Sequence, residues 1–505
     1  MAIIGIDLGT TNSLAAQLDN VGRPQIVHNS EGANLTPSVV WFDAENKPKV
    51  GQDAKDNKKF EKHVFDLFKR DMGTSATYQF GDKKLTPIDL SALVLAKIKK
   101  DFEKSVGPAD TVVITVPANF RNEAREATLA AAEAAGFNTD MLLNEPTAAA
   151  LYYAHQAGKK LNGVYVVYDL GGGTLDVSVI KANGEDVEVL ASEGLQKLGG
   201  TDFDQKIIEI VGKKFNAQHG IEFNVDDFGF GESDAEDVKK SLSTVEEKKI
   251  RLVGQGIAPT VLTITRKEFE EAISGYIAQT EMLCESAMLE ANVSLSDIEE
   301  VFLAGGSSRI PLVKKTLAKL FGKEPITSGN PDEAIALGAA IYAGYKTDKK
   351  SLNPLQAQAV SSMKFQEVAP AYFGTISRDS AKAAKGIQAS LNNIIIEKNE
   401  KIPCSRTESF YTVSENQTSV GCTITQSPNN ESDPRFVRVI WKGDLELPPN
   451  RPAEQEIQVT YSYHENGTMH AEFLDVGSKK KTEVDIASQS ISGSSSININ
   501  DFIVE

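Results

Sequence analysis

The chain has 505 residues, 41% hydrophobic and 24% charged, the balance of ordinary globular protein with length for about three domains and more than one core. A formal net charge of −17 argues against sequence-independent binding to nucleic acid, whose phosphates such a surface repels. No run approaches the ~20 uninterrupted apolar residues of a membrane span, and Cys284, Cys404 and Cys422, with no CxxC spacing, read as buried, inert thiols of a reducing cytosol.

The opening "MAIIGIDLG" lacks a basic n-region and passes straight into a strand pattern, so no signal peptide is expected. It leads into "DLGTT" (7–11), a glycine and threonine turn after an apolar strand. "ADTVVITVP" (109–117) is short, β-branched and continuously apolar, as strands buried on both faces are. "NEAREATLAAAEAAGF" (122–137) is helical and closes on a glycine. "GVYVVYDL" (163–170) is a second buried strand, followed by "GGGT" (171–174), nearly repeating the opening phrase. "RKEFEEAISGYIAQTEMLCESAMLEAN" (266–292) has helical spacing, and "VFLAGGSSRIPLV" (301–313) reads strand, glycine turn, helix. Strands interleaved with helices up to about Tyr345 predict a parallel α/β sheet.

The texture changes at residues 347–368, a polar, weakly periodic stretch that reads as a linker. Beyond it, short alternating runs predict an antiparallel β-sandwich over 369–486. In "EIQVTYSYHENGTMHAEFLD" (456–475), Ile457, Val459, Tyr461 and Tyr463 alternate, Asn466-Gly467 turns, and Met469, Ala471 and Phe473 alternate back. Residues 487–505 are a serine-rich flexible tail with a short apolar-acidic end.

The two turns carry the chemistry. A strand ending in Asp-Leu-Gly presents backbone N–H groups unobstructed by side chains, a nest that binds anions, and threonine hydroxyls add donors. Gly9, Thr10 and Thr11 form one such turn; Gly171, Gly172, Gly173 and Thr174 form the other. The strand-end aspartates, Asp7 and Asp169, are placed to hold Mg²⁺, largely through water. One glycine turn alone is most simply a tight turn; two copies predict a duplicated fold clasping one polyphosphate. No GxxxxGK[ST] is present, so the P-loop solution is absent. Gly305, Gly306 and Ser307 suit a nucleoside seat, with Arg309 available to stack on a base. Glu236, Lys239, Lys240 and Ser243 share one helix face that can hydrogen-bond ribose and purine; taken alone, that face reads as a solvated surface.

Together "GIDLGTTNS", "VITVPANF", "NEPTAAAL", "YDLGGGTLDVSV", "LGGTDFD" and "FLAGGSSRIP", in this order, resemble the 70-kilodalton heat-shock chaperone family. The resemblance runs to about residue 486. It implies an α/β actin-like two-lobed ATPase domain over 1–346, the linker, and a peptide-binding β-sandwich, with ATP or ADP and Mg²⁺ in the cleft. It assigns the β- and γ-phosphates to the first turn, and Lys69 of "LFKRDMG" to the γ-phosphate and attacking water. Glu145 and Asp169 position water and Mg²⁺, and Thr174 touches the γ-phosphate. Gly199, Gly200 and Asp332 join the nucleotide site. Pro117 and Arg125, with Glu145, resemble the switch that couples the domains. Phe410, Val413, Val420 and Cys422 are candidates for the peptide groove; each reads equally well as sandwich core. The implied partners are unfolded or extended polypeptides and a nucleotide exchange factor in the cytoplasm, with no role at a membrane or on nucleic acid.

The sequence departs from the family in several places. The segment between Lys69 and Val116 is short, as in the family's specialised bacterial branch. The linker's usual leucines and aspartate are replaced by Met363, Lys364, Phe365, Gln366 and Glu367, which predicts weaker interdomain coupling. Met141 stands where an arginine commonly meets a J-domain co-chaperone, putting that partner in doubt. The first sandwich loop (377–393) is long, and no helical lid is read after Ile486. Alternatives are a non-cycling co-chaperone, exchange factor or scaffold, and a sugar-kinase relative, which has no use for a β-sandwich.

Overall fold

A computed structural model describes residues 2–486, apart from 140, 157–160, 185, 255–257, 328, 361–363, 379–389 and 465–467. The tail, most of the long sandwich loop, Met363 and the Asn466-Gly467 turn therefore lie outside the described residues. Among the described residues the chain divides into two compact units: one of residues up to 119 with 128–364, the other of 120–127 with 365–486.

In the first unit the duplication is visible as topology. One sheet runs Leu142–Asn144, Ala109–Val116, Ala2–Asp7, Asn12–Leu18, Pro24–Val27. The strand Ala2–Asp7 pairs in parallel with Ala109–Val116 (Ile4 opposite Val112) and antiparallel with Asn12–Leu18 (Gly5 opposite Ala16). In the second lobe Leu161–Leu170 pairs in parallel with Ile298–Ala304 (Val166 opposite Val301) and antiparallel with Leu175–Gly184 (Asp169 opposite Asp176), and Asp186–Leu195 pairs with the latter. Each lobe thus repeats one hairpin plus one parallel neighbour.

The expected parallel α/β sheet is corrected to a mixed one in both lobes. The connections at 8–11 and 171–174 are tight turns, which reverse the chain, whereas a parallel pair needs a crossover of about a dozen residues or more. The parallel neighbours come from strands reached through helices, such as Pro87–Ser105 before Ala109–Val116.

Two alanine-rich helices, Glu145–Gln156 and Ala334–Lys346, pack against each other below the turns. At Gly338 a Cβ would stand 1.7 Å from Ala148 O, so only glycine permits this approach. The second lobe's core stacks Tyr168, Leu170 and Val177 on Phe203, Ile207 and Val211 of helix Gly200–His219. The expected linker is not structureless. Pro354–Val360 is a helix of the first unit, tied by Asn353 Nδ2 donating to Asn20 O (2.9 Å) and Gln356 Nε2 to Asp19 O (3.1 Å).

The second unit contains two four-stranded antiparallel sheets: Ser390–Ile396, Tyr372–Arg378, Ser419–Ser427, Arg438–Glu446; and Cys404–Tyr411, Glu456–Tyr463, Met469–Asp475, Lys481–Asp485. The alternation read from sequence is the observed burial: Ile457, Val459, Tyr461, Tyr463, Met469, Ala471 and Phe473 all face the core with Phe373, Ile424 and Leu445. Tyr461 spends its buried hydroxyl on Gly374 O (2.9 Å) and Thr423 O (3.1 Å), so the ring is buried without an orphaned donor.

Candidate active site

The two glycine turns, 163 residues apart in sequence (Gly9 and Gly172), meet in space. A Cβ on Gly172 would lie 2.3 Å from Thr11 Oγ1, and one on Gly173 would lie 2.4 Å from Thr10 Cγ2. The first turn is braced from behind: Ser38 Oγ donates to Gly9 O (2.7 Å) and Ser38 N to Thr11 O (2.9 Å), while Gly9 N donates to Ser13 Oγ (3.1 Å). The second is braced by the start of helix Gly200–His219, where Gly200 N donates to Gly171 O (3.0 Å) and Thr201 N to Gly172 O (2.9 Å).

Beside the turns lies a buried charged centre. Lys69 (3% exposed) donates to Glu145 Oε1 (4% exposed) at 2.5 Å. Lys69 sits on a short 3₁₀ turn, Phe68–Asp71, entered through Leu67 at φ +57°, a conformation that costs a non-glycine residue of order 1 kcal/mol and clusters at functional sites. Burial, then the charge of Glu145, pushes the Asp7 carboxyl up to about 7 against the opposing pull of Lys69; Thr115 Oγ1 donates to it at 3.1 Å. The same two causes raise Asp169 well above the usual carboxylate range and Asp176 to about 8. Four buried carboxylates facing one lysine lack positive charge, and a bound dication fits that deficit. Among the described residues no three carboxylate, imidazole or thiolate groups converge closely enough to chelate a metal directly. The fit is therefore to Mg²⁺ that keeps its water shell.

A cavity of about 570 Å³ opens from this centre. It brings together Asp7, Gly9, Thr10, Thr11, Lys69, Glu145, Asp169, Gly171, Gly172, Thr174 and Gly200 around the two glycine turns. Glu236, Lys239, Lys240, Ser243, Gly305, Gly306, Ser307, Arg309 and Asp332 line the other side. Gly173 and Gly199 stand behind this surface, where a Cβ on Gly199 would meet Gly172 and Gly173 backbone at 2.6 Å.

Several lining residues are already partnered. Lys239 donates to Gly200 O (2.8 Å) and pairs with Asp204 (2.7 Å), so it braces the helix start as well as facing the cavity. Burial works to raise Glu236, but Lys55 (2.6 Å) and Lys240 (2.8 Å) outweigh it and hold the carboxyl at about 2. Arg309, half exposed, pairs with Asp332 at 2.9 Å.

Pro117 and Arg125 are outside the cavity lining. Pro117 is buried after the strand Ala109–Val116, and Arg125 Nε donates to Phe120 O (3.1 Å). In the second unit Phe410 and Val420 are half-buried against the sandwich core, from different sheets. Val413 is 49% exposed just past the strand Cys404–Tyr411, and Cys422 is a core residue at 1% exposure.

Sequence reasoning missed Ser38, Asp176, and the lysines Lys55 and Lys58 that reach across the cavity mouth. Asp176 stood in plain view as the second aspartate of "DLGGGTLD". Lys55 pairs with a residue 181 positions away, which no local pattern signals.

Two matched lobes closing glycine turns on a lysine–carboxylate centre define a nucleotide-hydrolysing protein of the two-lobed kind, here followed by a β-sandwich. The family model described as "Hsp70 protein" matches residues 3–79 and 73–504. The "Chaperone protein DnaK" of Thermotoga neapolitana is 35% identical over 493 residues, 95% of this chain and 79% of that protein. The chain belongs to the Hsp70 family, and with that membership it is an ATP-dependent chaperone and an ATPase.

Proposed function

We propose that ATP binds with its phosphates between the turns at 9–11 and 171–174, and that hydrolysis there governs capture of extended apolar polypeptide by the sandwich. The observation that carries this reading is the abutment of Thr11 on Gly172 beside the Lys69–Glu145 pair.

Phosphoryl transfer asks a protein mainly for positioning and charge neutralisation. Lys69 supplies a fixed ammonium to the γ-phosphate, and Glu145, held by Lys69, orients the attacking water. Thr174 offers its hydroxyl to the γ-phosphate. Asp7 and Asp169 would hold the water shell of Mg²⁺, which when bound would neutralise charge on the phosphate oxygens. Arg309 and the Glu236–Ser243 helix face seat the nucleoside. Burial of the centre keeps bulk water from competing and strengthens each of these interactions.

Coupling to the sandwich through Pro117 and Arg125, with Phe410, Val413, Val420 and Cys422 at the groove, completes the reading. Backbone hydrogen bonds plus one or two apolar pockets recognise unfolded chains with little sequence selection. The domains are taken as 1–346, the linker 347–368, the sandwich 369–486 and the tail 487–505. An exchange factor is an expected partner and the cytoplasm the expected compartment. Met141 argues against a standard J-domain partner. Among the described residues no helix is long and apolar enough to cross a membrane.

The test is steady-state ATP turnover with and without an extended apolar peptide. Stimulation by peptide is expected; turnover without stimulation separates the two domains, and no turnover overturns the reading.

A further inference from the structure

We propose that Arg70 is a positioning residue for hydrolysis, a strap from the Lys69 turn in one lobe to the second phosphate turn in the other. This rests on the reading of the site given above. Arg70 follows Lys69 in the Phe68–Asp71 turn and spans the lobes with three donors. Nη2 and Nη1 reach Asp202 Oδ2 (2.6 Å) and Oδ1 (3.4 Å), and Nε reaches Gly173 O (3.1 Å). Asp202 also accepts Gly199 N (2.8 Å) through Oδ2, so the guanidinium grips the start of helix Gly200–His219 and the glycine turn together. The pair is largely shielded, at 14% and 22% side-chain exposure, so solvent screens it little. The far end of the Lys69 turn is fixed by Tyr78 donating to Asp71 Oδ2 (2.8 Å).

The geometry gives this strap a specific effect. In a trans peptide the N–H points opposite to the C=O. The carbonyls of Gly171 and Gly172 are tied by the backbone of Gly200 and Thr201, within the same lobe. The Gly173 carbonyl is tied by Arg70, a side chain of the other lobe. Its peptide partner is the N–H of Thr174, which lines the cavity. The aim of that N–H is therefore set by Arg70 and by closure of the lobes, while its two predecessors are set locally. A planar guanidinium can hold carboxylate and carbonyl at once; a lysine at the same position holds one or the other.

The test uses the full chain as parent, Arg70→Ala, Arg70→Lys and Asp202→Asn. It reads single-turnover ATP hydrolysis, the ADP dissociation constant, and hydrogen exchange of the 171–174 amides without nucleotide. Mis-aiming the Thr174 N–H, which amounts to the loss of about one hydrogen bond to the γ-phosphate in the transition state, slows hydrolysis at least about tenfold in Arg70→Ala. We expect Arg70→Lys to fall in between, ADP affinity to stay within about threefold, and the 171–174 amides to exchange faster. Parent-like hydrolysis and exchange in Arg70→Ala overturn the proposal. So does a loss of ADP affinity that matches the loss of rate together with a lowered thermal midpoint, since that marks a merely structural role. A parent that does not hydrolyse ATP sinks the function reading instead, and the amide exchange then decides the strap by itself.

Discussion

Lys69 Nζ lies 2.5 Å from Glu145 Oε1, and both side chains are almost wholly buried beside Asp7 and Asp169. The lysine is the cation that restrains three raised carboxyls, so its removal changes the charge balance and frees Glu145, the residue proposed to orient the attacking water. Lys69→Ala is expected to cut single-turnover hydrolysis by at least about a hundredfold. ATP affinity should stay within about threefold, because both glycine turns remain. Stopped-flow hydrolysis and equilibrium titration check the two halves separately.

Gly172→Ala places a methyl 2.3 Å from Thr11 Oγ1 and 2.4 Å from Thr11 Cγ2, and the turns must part. ATP affinity is expected to fall at least tenfold, about 1.4 kcal/mol. Thr11→Ala in the same chain removes both clashing atoms and should restore part of that loss. A double variant no better than Gly172→Ala alone argues that the turns are not in contact.

Three lysines of the 52–66 region bridge to helix Glu232–Leu242: Lys55 to Glu236 (2.6 Å), Lys58 to Glu232, and Lys59 to Asp234 (2.6 Å). Lys55 and Lys58 line the cavity with Glu232 and Glu236, and the three pairs tie this region to the helix by charge. Partly exposed pairs are worth about 0.2–1 kcal/mol each and weaken with salt. Replacing all three lysines by alanine should speed nucleotide release about three- to thirtyfold and remove most of its salt dependence, as read by release of a fluorescent nucleotide.

Glu126 is buried one turn from Glu123 on helix Asn122–Ala134, and burial followed by the Glu123 charge pushes its carboxyl up to about 8. The folded chain then keeps a proton that the unfolded chain releases near the ordinary value of 4.5. Stability from this group is full below 4.5 and is lost as pH rises through about 8. Glu126→Gln is always neutral, so its thermal midpoint should exceed the parent's at about pH 9 and match it at about pH 5. A variant less stable than the parent at high pH contradicts this.

The sandwich candidates should separate by burial. Cys422 is core, and Cys422→Ser sets a hydroxyl among apolar neighbours at a cost of about 1–3 kcal/mol in the sandwich's stability. Val413 is half exposed, and Val413→Ala should leave the thermal midpoint unchanged while weakening an apolar peptide about two- to fivefold, by fluorescence anisotropy.

What the sequence made legible is what local chemistry dictates. A strand end followed by glycines and threonines has few uses, so Asp7, Gly9, Thr11, Asp169, Gly172 and Thr174 could be read together, and all line one cavity. Period-two alternation likewise placed Tyr461 and Phe473 in a core. The antiparallel hairpins were hidden because continuous apolar runs look the same in either pairing direction. The helix Pro354–Val360 was hidden because Gln356 is held by the main chain of Leu18 and Asp19, a tertiary bond with no sequence period. Lys55, Lys58 and Arg70 carry no local signal, since each pairs with a residue more than a hundred positions away.

The most direct measurement is a crystal structure with Mg²⁺ and a non-hydrolysable ATP analogue. The account predicts backbone amides of 9–11 and of 171–174 within hydrogen-bond distance of the same phosphate chain, with Lys69 at the terminal phosphate. Phosphates lying away from Gly172, held by one turn alone, contradict it.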